Sequence, residues 1–83
     1  MLTGSQILKA RRLIKKTTPW LSRRSGVGYG NIVAAQKAGG MASLDTYAAS
    51  MIRRVLEAEG VEFCTNANGE PDARLTHRDH DAA

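Results

Sequence analysis

The stretch from Thr17 to Lys37 constrains the fold more than any other part of the chain. It reads as a short helix, a turn at Gly26 and a second helix. A glycine directly after a helical segment can adopt positive φ without a Cβ clash, so the chain can reverse within a few residues. Ser22, four residues before Gly26, gives the first helix a small side chain where the second must approach. The positions predicted to hold the two helices together are apolar: Leu21, Val27, Ile32 and Ala35.

Charge is distributed unevenly along the chain. The net charge is +4, yet no Asp or Glu precedes Asp45, and all eight acidic residues lie from that position onward. A first half of the chain that carries only positive charges favours a polyanionic partner, and DNA is the usual example. The alternative is a basic surface that is only solvated. The cations before residue 40 are Lys9, Arg11, Arg12, Lys15, Lys16, Arg23, Arg24 and Lys37.

Four segments carry a resemblance to a known family. They are LTGSQILKAR from Leu2, SGV from Ser25, SLDT from Ser43 and GVEF from Gly60. With them the chain resembles the Cro/repressor-type helix-turn-helix family, also called the xenobiotic-response-element (XRE) family, of small bacterial or phage transcriptional regulators. The resemblance implies a mostly α, compact, four- to five-helix lambda-repressor-like domain with a short C-terminal β-hairpin or strand. It also implies double-stranded DNA as the partner and a recognition helix at about 29–37 that enters the major groove.

The same resemblance assigns roles to individual residues. Base edges would be faced by Gly28, Tyr29, Gly30, Val33, Ala34 and Lys37, and phosphates contacted by Thr18, Arg23, Arg24, Asn31 and Lys37. Major-groove discrimination normally needs Arg, Asn or Gln, whereas this face offers two glycines, a valine and an alanine, and only Tyr29 and Lys37 carry polar groups. Val33 and Ala34 could contact thymine methyls. A homodimer on two half-sites about one helical turn apart is expected for useful specificity.

Local signals predict the helices. A Thr3–Gln6 capping box begins a first helix that runs from about Gly4 to Lys15. Thr18 is predicted as the N-cap of the second helix, with Pro19 at its first position. The third helix should begin near 28–29 and reach 36–37. Ser43 is predicted to cap a last helix that ends before Gly60.

The C-terminal part reads as two short strands, 61–64 and 73–76, around an Asn68-Gly69 turn. A hairpin within one chain is favoured, and strand pairing across a homodimer is the alternative. The predicted organisation is a helix-turn-helix domain at 1–63, a strand or hairpin appendage at 64–76 and a disordered tail at 77–83.

Other functions find little support in the sequence. The single Cys64 rules out an internal disulfide and suits a cytoplasmic protein, and no apolar run is long enough to span a membrane. The His77–Asp81 cluster lacks the ordered surroundings of a metal site. No catalytic site or cofactor is expected, so an enzyme is disfavoured. The alternative function is a helix-turn-helix reused as a protein-binding anti-activator or accessory factor, with Trp20, predicted to be partly buried, as the contact for a protein partner.

Overall fold

A computed structural model describes residues 2–39 and 44–76 of the 83-residue chain. The described residues form a mostly helical structure with a two-stranded antiparallel sheet. In chain order the elements are α1 (Gly4–Leu13), α2 (Thr18–Ser25), α3 (Tyr29–Ala38), α4 (Thr46–Ala58), β1 (Val61–Thr65) and β2 (Pro71–Leu75).

Helix α1 begins at the predicted capping box. The amide of Gln6 donates to the Thr3 hydroxyl at 3.2 Å, and the amide of Thr3 donates to the Gln6 Oε1 atom at 2.9 Å. The helix ends at Leu13, two residues before the predicted end at Lys15. The cause is the backbone of Lys15, which has a φ of 58° and therefore cannot continue a right-handed helix.

The predicted cap of α2 is wrong by one residue. Thr17, not Thr18, is the N-cap, and its hydroxyl accepts from the Trp20 amide at 3.3 Å. Thr18 cannot serve in that place because its own hydroxyl faces α3 and accepts from Gln36 Nε2 at 3.3 Å. Pro19 consequently lies at the second helical position, where its missing amide also leaves no hydrogen bond unmade.

Helix α4 begins later than the sequence suggested. Its N-cap is Asp45, whose Oδ1 atom accepts from the Ala48 amide at 2.7 Å. Ser43, the predicted cap, lies outside the described residues. The helix ends before Gly60, as predicted, and that glycine has a φ of 99°.

The hairpin is paired within one chain. Val61 lies opposite Leu75, and Phe63 lies opposite Ala73. The turn between the strands includes Gly69, whose φ is 80°. Strand β2 begins at Pro71, two residues earlier than predicted. Residues 77–83, predicted to be disordered, lie outside the described part of the chain.

Helices and hairpin share one hydrophobic core. The predicted boundary between 63 and 64 falls inside β1, and both strands contribute buried side chains. Strand β2 also contacts α1, since Gln6 Nε2 donates to the Asp72 carbonyl at 2.9 Å. The buried apolar residues are Leu2, Ile7, Ala10, Leu21, Val27, Ile32, Ala35, Ile52, Leu56, Val61 and Ala73.

The backbone at the N-terminus of α1 contacts the backbone at the C-terminus of α3 directly. A Cβ atom on Gly4 would lie 1.7 Å from the Ala35 carbonyl oxygen, so only glycine permits this approach. The next residue, Ser5, donates to the Gly39 carbonyl twice, from its amide at 3.0 Å and from its hydroxyl at 2.6 Å. The first turn of α1 therefore satisfies a carbonyl that α3 leaves free at its end.

Candidate nucleic-acid interface

The turn between α2 and α3 is fixed by a glycine and two serines. Gly26 has a φ of 77°, and its amide donates to the Ser22 carbonyl at 2.9 Å. The Ser22 hydroxyl crosses the turn and donates to the Val27 carbonyl at 2.7 Å. Buried Ser25 accepts from the Val27 amide at 3.2 Å and donates to the Leu21 carbonyl at 2.7 Å. The backbone of the turn thus has its own hydrogen bonds and a defined geometry.

The apolar contacts beneath this turn follow the prediction. Leu21, Ile32 and Ala35 are fully buried, and Val27 is 7% exposed. Burial of these side chains leaves the opposite face of α3 to solvent. A helix whose inner face is packed in this way has a fixed rotation about its own axis.

The outward face of α3 contains most of the predicted base-contacting residues. Tyr29 is 54% exposed, Ala34 and Lys37 are exposed, and Val33 is half-buried. The other two, Gly28 and Gly30, are exposed as well, and so is Asn31, a predicted phosphate contact. None of these residues lies in the hydrophobic core, so the face is open in the way that the assignment requires.

Thr18 differs from the other predicted contacts because it is 9% exposed. Its hydroxyl accepts from Gln36, whose Oε1 atom accepts from Arg11 Nε at 3.0 Å. Arg11 also donates to the Lys16 carbonyl at 2.9 Å. The chain of hydrogen bonds joins α1, α2 and α3, so Thr18 helps to position α3 rather than standing free on the surface.

The remaining predicted contacts are cations. Arg23, Arg24 and Lys37 are exposed, and within residues 2–39 and 44–76 none of them pairs with a carboxylate. Trp20 is half-buried against the core, as predicted. Two cationic groups lie over its ring: Lys16 Nζ is 5.4 Å from the ring centroid, and the Arg24 guanidinium is 5.7 Å away.

Sequence reasoning missed several residues that build this site. The signal for Ser25 was available, since a serine near a helix end often bonds the carbonyl four residues earlier. Gly4 was read only as part of a capping box, because its contact is with a residue far away in sequence. No neighbouring residue predicts the long-range hydrogen bonds of Gln36 and Arg11. The left-handed backbone of Lys15 has no sequence signal either.

Two surface pockets, of about 230 and 260 Å³, lie beside the hairpin and at the start of α4. In the part of the chain that the structure describes, no three His, Cys, Asp or Glu side chains gather as metal ligands would. The His77–Asp81 cluster lies outside that part.

The protein is thus small and basic, with a hydrogen-bonded turn between α2 and α3 and an exposed outward face on α3. No helix among the described residues is long and apolar enough to cross a membrane. Comparisons with protein-family models, curated proteins and solved structures found no match to this chain.

Proposed function

We propose that the protein is a sequence-specific DNA-binding transcriptional regulator, in which α2 and α3 form a helix-turn-helix of the lambda-repressor-like type. The observation that carries the proposal is the surface of α3: it is exposed, flanked by Arg23, Arg24 and Lys37, and free of carboxylates among the described residues. A cationic surface without internal counter-charges is suited to a polyanion.

The dimensions of α3 fit this role. Its ten residues extend over about 15 Å, and with side chains a helix is roughly 10–12 Å across. The major groove of B-DNA is about 12 Å wide and accepts one helix. Arg23 and Arg24, in the last turn of the preceding helix, would then reach the phosphates beside the groove.

Base discrimination would rest on few side chains. Of the residues assigned to base edges, only Tyr29 and Lys37 carry polar groups, and both are exposed. Asn31 is assigned to phosphate, and Gln36 is held by Thr18 and Arg11. Val33 and Ala34 supply apolar surface for thymine methyls. We therefore expect modest specificity per module, raised by a homodimer on two half-sites. Sedimentation of the free protein and of its complex with DNA measures whether such a dimer forms.

The test combines selection from a random DNA pool with binding measured at several salt concentrations. Affinity should fall steeply with salt, because each neutralised phosphate adds about 0.9 to the slope of log K against log salt. Tyr29→Ala should change the selected sequence, whereas Arg23→Ala should weaken all sequences alike. The matched control is Arg54→Ala, which removes an exposed cation from α4. Salt-independent binding, or identical losses from the Tyr29 and Arg23 variants, would contradict the proposal.

A second function, a helix-turn-helix fold used to bind a protein as an anti-activator or accessory factor, is favoured by one observation. The first turn of α3 holds Gly30 behind a Gly28 N-cap that makes no side-chain hydrogen bond, so this helix begins weakly for a DNA reader. Titration of labelled protein with duplex DNA distinguishes the two. NMR shifts at Arg23 and 29–37 on adding duplex support DNA binding, whereas no shift with any duplex, together with a protein partner that perturbs Trp20, supports the second function.

A further inference from the structure

The corner between α1 and α2 carries a residue in an unfavourable backbone conformation. Lys15 has a φ of 58°, and it is the only non-glycine residue with positive φ in the described part of the chain. Its amide donates to the Arg12 carbonyl at 3.2 Å, and the Lys16 amide donates to the Arg11 carbonyl at 3.0 Å. These two bonds form a Schellman motif, in which the left-handed position is usually glycine.

A lysine at such a position is unexpected on structural grounds alone. Its Cβ atom disfavours the left-handed conformation, and glycine would adopt it freely. The side chain is exposed and forms no ion pair with any carboxylate of residues 2–39 or 44–76. Strained residues of this kind concentrate at functional sites, where the side chain is worth its conformational cost.

Lys16, the residue after Lys15, is one of two cations beside the Trp20 ring. Lys16 and Arg24 lie within 5.7 Å of the centroid of the Trp20 ring. The ring attracts both cations through its quadrupole, which partly offsets their mutual repulsion. Arg11 holds the peptide of this corner from inside by donating to the Lys16 carbonyl. We call Lys15, Lys16, Trp20 and Arg24 the α1–α2 corner.

We propose that the α1–α2 corner is a second phosphate-binding surface, which contacts the DNA backbone outside the groove entered by α3. The inference rests on the proposed DNA-binding function and extends the interface to Lys15 and Lys16. The charge of the corner identifies an anionic partner. Lys15, Lys16 and Arg24 are cations, and no Asp or Glu precedes Asp45 in the sequence. Its contacts are with phosphates, so they are independent of base sequence.

The test uses the full chain and a duplex of random sequence about two helical turns long, roughly 20 base pairs. Binding is measured by fluorescence anisotropy between about 50 and 200 mM salt. Lys15→Gly should lower affinity about fivefold, the scale of one exposed ion pair. It should also make the salt slope shallower by about 0.9. Lys15→Arg, which keeps the charge, should retain both values.

Thermal unfolding separates binding from folding. Lys15→Gly should melt at the wild-type temperature or a few degrees above it, because glycine relieves the backbone strain. Lys15→Asn, a neutral residue that also tolerates this conformation, serves if the glycine variant is poorly folded. Trp20 is the sole tryptophan, so its fluorescence reports on the corner directly and should change when DNA binds.

Each outcome has a distinct meaning. If Arg23→Ala makes the salt slope shallower but both neutral Lys15 variants bind like the wild type, the corner inference fails while the proposed function stands. Equal losses from Arg54→Ala and Lys15→Gly would also overturn it, since the effect would then be one of net charge. If the wild-type protein binds no duplex, the proposed function and this inference both fail.

Discussion

The surface formed by α2 and α3 and the surface formed by α4 and the hairpin treat their cations differently. On the second surface Arg53 pairs with Glu57 and Arg74 pairs with Glu62, each at 2.9 Å, whereas Arg54 is exposed and forms no ion pair among the described residues. On the first, Arg23, Arg24 and Lys37 have no carboxylate partner among the described residues. A protein that only needed solubility could mix its charges everywhere. The difference between the two surfaces supports the anionic partner that we propose.

Helix α1 connects these two surfaces. At its first turn Gly4 and Ser5 touch the end of α3, and at its centre Gln6 and Lys9 hold Asp72 of β2. The cationic surface therefore depends on α1 for its geometry, although α1 contributes little to the exposed face of α3. Substitutions at these contacts should therefore affect the cationic surface as well as the stability of the fold.

The largest effect is expected from Gly4→Ala. The added Cβ would lie 1.7 Å from the Ala35 carbonyl oxygen, so α1 and α3 must move apart. Overpacking of this kind should cost about 3 kcal/mol, or roughly 15 °C in melting temperature for a domain of this size. Denaturant unfolding and calorimetry measure the loss. DNA binding should weaken with it, because α3 loses its support.

The control is Gly30→Ala, which is itself a prediction with the opposite sign. An added Cβ there meets no atom within 4 Å, and the residue lies in the first turn of α3. Replacing glycine by alanine inside a helix should raise the free energy of unfolding by about 0.5–1 kcal/mol. Equal destabilisation by the two substitutions would mean that the contact between Gly4 and Ala35 does not hold the helices together.

Features of the fold that depend on neighbouring residues could be predicted from the sequence. The turn at Gly26, the four apolar residues around it, the capping box and a hairpin within one chain all follow from patterns within a few residues. Each pattern reflects local backbone chemistry, namely positive φ, hydrophobic spacing or side-chain capping. The finer lambda-repressor-like assignment and the DNA contacts stay predictions.

What could not be predicted depends on contacts between distant segments. Thr18 lost its capping role because Gln36, eighteen residues later, engages its hydroxyl. Gly4 is required because of Ala35, and no neighbouring residue signals this. Lys15 is a different case: its conformation is local, but lysine has no preference for it, so the sequence pattern pointed to a longer helix.

A smaller effect tests the pairing of charges directly. Arg23→Gln removes a cation without a carboxylate partner among the described residues, so repulsion with its neighbours should fall and the melting temperature at low salt should rise by about 2 °C. Arg74→Gln removes a cation that Glu62 holds, so the melting temperature should fall. Both differences should shrink in high salt. Shifts of the same sign in the two variants would refute the proposed difference between the surfaces.

The smallest effect concerns Asp72 in acid. Lys9 donates to its Oδ1 atom at 2.5 Å and the Ala73 amide donates to the same atom at 2.8 Å, and these bonds hold the pKa of Asp72 below its usual 3.8. A carboxyl whose folded pKa is lowered stabilises the fold above its unfolded pKa, and that stabilisation disappears as the pH falls through the folded value. Asp72→Asn should therefore lower the melting temperature slightly at neutral pH and leave it unchanged at pH values below the folded pKa. Thermal unfolding across the acid range measures this convergence, with Glu59→Gln at the exposed C-cap of α4 as the matched control. A wild-type-to-Asn difference that stays constant across the acid range would show that the pair of Lys9 and Asp72 contributes nothing through charge, and α1 would then be joined to the hairpin by Gln6 and apolar contacts alone.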